Sequence, residues 1–216
     1  ANSNADANDT IQLSGGQTYK LSIEGREEDA AITGDLDITN GTIVIQSVGT
    51  GNATIDAKTK YFNDDIEQFS YGIDRVFDVR NGTLKVSKVT ITGGLTGNAN
   101  TDRNGAGIRV NAGAAVEVID STINYNWARN PYDDSAIQPR GDGGGIWSAG
   151  TAILTRSTIT GNSAQSSGGG IKNTLSGTLV VEDSTISNHQ PYENYQGLTN
   201  GGGISNSGHA TIVGST

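Results

Sequence analysis

The amino-acid sequence predicts an all-β chain wound as a right-handed parallel β-helix with three short strands in each coil. Three observations predict it. Two short motifs alternate in fixed order along the chain, apolar residues recur at every second position inside the first motif, and no long helical period appears.

The first motif is nine residues long. It occurs at Thr83–Ile91, Ala115–Ile123, Thr151–Ile159 and Thr178–Ile186, and its opening recurs at His209–Thr216. Positions two and four carry Leu84 and Val86, Val116 and Val118, Ala152 and Leu154, Leu179 and Val181, Ala210 and Ile212, the pattern of a strand with one face buried. A turn at positions five and six leads into a second strand that ends in Ile91, Ile123, Ile159 or Ile186. The second motif, Gly105-Ala-Gly-Ile108, Gly143-Gly-Gly-Ile146, Gly168-Gly-Gly-Ile171 and Gly201-Gly-Gly-Ile204, supplies a third strand whose isoleucines also point inward. Successive isoleucines of the second strand are 32, 36 and 27 residues apart, and the shortest interval fits one coil. Stacked coils bring like positions together as ladders about 4.8 Å apart. Glycine and Asn are expected at the corners, where positive backbone angles are needed.

Residues 1–82 read as less regular coils, with strands at Thr10–Leu13, Thr18–Leu21, Asp35–Thr39, Thr42–Ile45 and Arg75–Val79, and residues 83–216 as the regular repeats. No linker or shift in composition divides them, so 1–216 is read as a single β-helix domain. The last motif breaks off at Thr216, which reads as a fragment of, or a product processed from, a longer chain.

The composition fits a solenoid and excludes several other classes. The 31 Gly among 216 residues show no three-residue period and Pro numbers only 3, which excludes collagen. The absence of Cys excludes a disulfide framework and a cysteine metal site. A net charge of -9, with 14 scattered Lys and Arg, argues against a nucleic acid partner. No stretch approaches the roughly 18 apolar residues of a membrane span.

The pairing of Ser157-Thr-Ile-Thr-Gly-Asn-Ser-Ala164 with Gly168-Gly-Gly-Ile171 resembles the repeats of bacterial exported β-helix proteins. These include polymorphic outer-membrane proteins, autotransporter-type adhesins and pectate-lyase-like surface proteins. The polymorphic proteins pair a Gly-Gly-Ala-Ile-like motif with Phe-x-x-Asn; here Ile replaces that Phe, at Ile123-x-x-Asn126 and Ile159-x-x-Asn162. The resemblance covers roughly residues 83–216. It implies an exported β-helix, in a class whose members are adhesins, structural stalks, polysaccharide lyases and epimerases.

Insertions are where a solenoid carries its specificity. Lys58–Asp74, Tyr125–Arg140 and Asn188–Asn200 each follow a second strand and precede a third, so all three leave from one edge. They hold nine of the twelve aromatic residues: Tyr61, Phe62, Phe69, Tyr71, Tyr125, Trp127, Tyr132, Tyr192 and Tyr195. Rings on such an edge suit the apolar faces of sugars, while amides and carboxylates take the hydroxyls; the same rings also suit packing that pins the loops. The ligand-binding candidates are Tyr61, Phe62, Trp127, Tyr132, Trp147, Tyr192 and Tyr195.

Beside that edge runs the outward column of the third strand: Asp78, Arg109, Trp147, Lys172 and Ser205. The lyase resemblance implies carboxylates that hold Ca²⁺ and a Lys or Arg base. Asp78, Arg109 and Lys172 are the catalytic candidates on that ground, but they stand one to three coils apart with no second carboxylate in the line, as a solvated charge ladder would. For a metal, Asp64, Asp65, Asp133 and Asp134 offer the hard oxygens of a structural calcium ion, although surface carboxylates ordinarily bind nothing. No cofactor is required, and His189 and His209 receive no role.

The expected function is that of an extracellular or cell-surface module for adhesion, glycan binding or surface assembly. The partners are a polysaccharide or cell-surface glycan, or neighbouring copies of the chain. One alternative is a lyase or epimerase of the pectate-lyase-like type; another is a structural solenoid that assembles through its coil ends.

Overall fold

The structure is a computed structural model, and it describes residues 8–23, 25, 32–59, 71–72, 74–96, 103–128, 140–191 and 201–216. Among these there is no helix, and none long and apolar enough to cross a membrane. Parallel strands stack as a β-solenoid of about 5 turns with three principal faces.

The first face is formed, in spatial order, by Asn8–Ser14, Thr42–Val48, Thr83–Ser87, Ala115–Ile119, Thr151–Thr155, Thr178–Glu182 and His209–Val213. Thr18–Lys20, Ala53–Asp56, Val89–Thr92, Thr122–Asn124, Thr158–Thr160 and Thr185–Ser187 form the second face. On the third lie Leu36–Ile38, Phe77–Val79, Ile108–Val110, Ile146–Ser148, Ile171–Asn173 and Ile204–Asn206. The sequence reading missed the strand Ala53–Asp56, which has no Ser-Thr-Ile signature, and otherwise placed the strands of these three faces within a few residues; it did not foresee the two-residue strands Lys58–Thr59, Tyr71–Gly72, Trp127–Ala128, Ser163–Ala164 and Gln190–Pro191.

The alternation expected in the first motif is the packing observed except in its last copy, where Ala210 and Ile212 are exposed. Leu84, Val86, Val116, Val118, Ala152, Leu154, Leu179 and Val181 are all buried, and the second face adds Ile55, Ile91, Ile123 and Ile159. Phe77, Ile108, Ile146 and Ile171 close the core from the third face, each with 0% exposure. Burying one such side chain stabilises by about 1.5–3 kcal/mol, so a few inward positions per coil hold a chain otherwise made of Gly, Thr and Asn.

Corners bring a first correction. Between the first and second faces Gly16, Gly49, Gly51 and Gly214 take the left-handed backbone as expected, but on four coils the residue there is charged: Lys88, Asp120, Arg156 and Asp183, with φ of 55, 49, 48 and 48 degrees. These four stack one per coil with alternating sign. Arg156 donates to Asp120 from Nε at 2.7 Å and from Nη2 at 3.0 Å. Those hydrogen bonds, and then the guanidinium charge, hold the Asp120 carboxyl below its ordinary value.

Two side-chain ladders satisfy the backbone where the chain leaves its strands. Ser121 accepts from the Val89 N–H at 3.1 Å, Ser157 from Ser121 at 3.2 Å, Ser184 from Ser157 at 3.0 Å and Ser215 from Ser184 at 3.1 Å. At the next corner Asn126 accepts from the Gly94 N–H at 2.9 Å and Asn162 from the Asn126 N–H at 3.0 Å. Both asparagines have 0% exposure, so each amide replaces hydrogen bonds that water cannot supply there.

A fourth, narrow face follows the Asn ladder: Trp127–Ala128, Ser163–Ala164 and Gln190–Pro191. Ala128 and Ala164 join Ala106 in a small core of their own. Here the glycine triads have a steric reason. A Cβ on Gly144 would stand 2.3 Å from the Ser163 carbonyl oxygen and 2.5 Å from that of Gly169, so only Gly allows the third face to pass so close to the fourth.

Candidate functional site

The outward column of the third face runs in the expected order and gains a member. Asp37, Asp78, Arg109, Trp147, Lys172 and Ser205 stand in register on successive coils. Asp37 is a second carboxylate in the line, which corrects the expectation of a single one. The strand Leu36–Ile38 lacks the glycine motif that marks the register from Ile108 onward, so its alignment was hidden.

The column divides into two halves. Asp37 and Asp78 are buried on the side opposite Ile38, Phe77 and Val79, and Arg109 is 8% exposed. They do not form the solvated ladder expected of them. Arg109 forks onto Asp78, with Nε–Oδ1 at 2.9 Å and a second contact from Nη2 to Oδ2, and Asn111 Nδ2 donates to Asp78 Oδ1 at 2.9 Å. Arg80 reaches Asp78 at 3.6 Å and Asp37 at 4.0 Å. Arg75 pairs with Asp35 at 3.3 Å and lies 3.9 Å from Asp74.

Four carboxylates therefore face three guanidiniums, and one proton balances the charge. Burial lifts the Asp35 carboxyl from 3.8 to about 8, the charges of Asp74, Asp37 and Asp78 push the same way, and Arg75 opposes them. Oxygens of Asp35, Asp37 and Asp78 lie within 4.8 Å of one another, a grouping that hard cations favour. Here Arg75, Arg80 and Arg109 already bring the positive charge, and the cluster is a buried ion-pair network. None of Asp35, Asp74, Arg75 and Arg80 was singled out from the sequence; the signal was ionisable residues flanking inward strands, at Asp35-Leu-Asp37 and Asp74-Arg75.

The other half of the column is accessible. Trp147, Lys172 and Ser205 are half-buried. Lys172 Nζ donates to Ser205 Oγ at 3.0 Å and to Ser207 Oγ at 3.5 Å, and among the described residues it has no ion-pair partner. Of the three catalytic candidates, Asp78 and Arg109 are thus joined to each other out of solvent, and Lys172 stands two coils beyond Arg109.

Most of the expected loop residues, namely Tyr61, Phe62, Asp64, Asp65, Tyr132, Asp133, Asp134, Tyr192 and Tyr195, lie outside the described residues. The residues that flank those segments are described. Lys58–Thr59 pairs antiparallel with Tyr71–Gly72, Ala128 and Arg140 bracket the second segment, and Pro191 and Gly201 the third. Each flank lies between the second or fourth face and the third. The second and third insertions also begin later than expected, because Asn126–Ala128 and His189–Pro191 belong to the coil through the Asn ladder and the fourth face. Trp127 is therefore a half-buried residue of a fourth-face strand, in register with Ser163 and Gln190.

Comparison of the chain with known protein families, with curated proteins and with solved structures finds no match.

Proposed function

We propose that this chain is a β-helix module of an exported, cell-surface protein of the polymorphic or adhesin kind. In this reading the accessible half of its third face binds a polysaccharide. The observation that carries the reading is the register of Trp147 with Lys172, an aromatic ring and an uncompensated cation side by side on adjacent coils. Such a pair offers a stacking surface for a sugar ring and a charged donor for its oxygens.

Binding is favoured over catalysis because Asp78 and Arg109 are buried and mutually paired, which leaves no carboxylate beside Lys172 in the column. Capture on a broad panel of immobilised polysaccharides tests the proposal. Retention of wild type and loss of at least tenfold in Trp147→Ala is the expected result; no retention across the panel, or equal retention of both proteins, would refute it.

A further inference from the structure

The bend after the last four second-face strands takes one left-handed residue per coil: Gly93, Tyr125, Gly161 and Asn188, with φ of 79, 51, 62 and 56 degrees. Glycine adopts this backbone without penalty and Asn tolerates it, whereas a bulky side chain there is a genuine outlier. Tyr125 does not offset the strain by burial, since it is 63% exposed. Nor does its hydroxyl have a partner among the described residues.

Its ring has a prepared seat nonetheless. A Cβ on Gly161 would stand 2.9 Å from Tyr125 Cε1 and 3.2 Å from Cδ1, so the ring lies across the glycine of the next coil and a side chain there would lift it. The outward row beside it is uncharged over four coils, Thr92, Asn124, Thr160 and Ser187 in register, and rich in hydrogen-bonding groups. Tyr125, Trp127 and Trp147 also follow one another around a single coil, from the second face through the fourth to the third. The same positions on the following coil hold Gly161, Ser163 and Lys172.

We infer that Tyr125 is a sugar-stacking residue, the outer subsite of the polysaccharide surface, and that it takes the apolar face of a neutral pyranose. The inference rests on the glycan-binding reading above. A strained, exposed aromatic on a seat shaped to hold it flat is placed for a ligand, because the fold itself accepts Gly or Asn at that bend. An uncharged row beside the ring matches sugar hydroxyls rather than carboxylate or sulfate groups.

The test is titration of wild type, Tyr125→Asn, Tyr125→Phe and Trp147→Ala with hexamers of β-1,4-linked glucose, mannose, xylose and N-acetylglucosamine, alongside thermal melts. Tyr125→Asn is expected to melt at or above the wild-type temperature and to bind at least tenfold more weakly, with Tyr125→Phe close to wild type. Wild-type binding by Tyr125→Asn, together with its loss in Trp147→Ala, overturns the role of Tyr125 alone. A clear drop in the melting temperature of Tyr125→Asn also overturns it, by making the ring a structural clamp. No binding of any hexamer by wild type overturns this inference, and failure on the broader panel overturns the glycan reading beneath it.

Discussion

His189 occupies the place that Asn126 and Asn162 hold on the two preceding coils, and its Nδ1 accepts the backbone N–H of Asn162 at 3.3 Å. The ladder therefore continues with an imidazole, which can act as acceptor only while that nitrogen is unprotonated. Among the described residues its Nε2 has no hydrogen-bond partner, and it lies against Gly170, where a Cβ would stand 2.6 Å away.

Burial lowers the His189 pKa below 6.5, against the opposing effect of the Asn162 and Ile159 backbone. The folded state thus binds its proton less readily than the unfolded chain, so stability is present above 6.5 and is lost as pH falls towards the folded value. His189→Asn restores the ladder's own residue. It is expected to melt higher than wild type at about pH 5 and to show a flatter pH dependence between about pH 5 and 7.5. Parallel curves for the two proteins would rule this out.

Asp35 gives the opposite slope. Its carboxyl is raised to about 8, so the folded state holds a proton that the unfolded chain releases near 4, and the stability it contributes is lost as pH rises between those values. Asp35→Asn keeps an oxygen for Arg75 and removes the titration. Urea denaturation at about pH 6 and about pH 9 is expected to show wild type losing stability with pH while the variant holds. An unchanged pH slope in the variant would contradict the three-to-three charge balance of the network.

Arg109 and Asp78 were legible as neighbours from the sequence because Arg75-Val-Phe-Asp-Val79 reads as a third strand with Phe77 in the inward place that Ile108 holds on the next coil. Their burial was not. An isolated strand pattern marks Asp78 as outward, and outward on a solenoid means exposed unless other groups stand over it, as Arg80 and Arg109 do here. The left-handed charged corners were equally hidden, because neither Lys nor Arg carries a local signal for that backbone. Trp147 and Lys172 were placed correctly side by side, whereas Trp127 was taken for a loop residue because the fourth face is only two residues wide.

Removal of Arg109 leaves Asp78 buried beside Asp37 with Arg80 as the remaining cation. Breaking a buried pair by deleting one partner costs about 3–5 kcal/mol. Arg109→Met should fall in that range by denaturant unfolding, and the double variant Arg109→Met, Asp78→Leu should recover part of the loss. Wild-type stability in the single variant would show that the fork contributes little.

The serine ladder predicts a smaller, local cost. Ser157 is 2% exposed, accepts from the Ser121 N–H and shares its own hydrogen between the Thr155 and Val118 carbonyls at 2.9 and 3.1 Å. Ser157→Ala leaves that N–H without its side-chain acceptor and is expected to destabilise by about 1–3 kcal/mol, with amide exchange accelerated at Ser121. Unaltered exchange there would mean that the ladder is not what protects the corner.

The most direct test of the glycan-binding face uses Trp147 as its own reporter. The chain has 2 Trp, so Trp127→Phe leaves Trp147 as the sole indole. Titration of this variant with a retained polysaccharide should shift and saturate the tryptophan emission, with a midpoint matching the binding measured independently. Binding that proceeds with the Trp147 emission unchanged would contradict the assignment of this face.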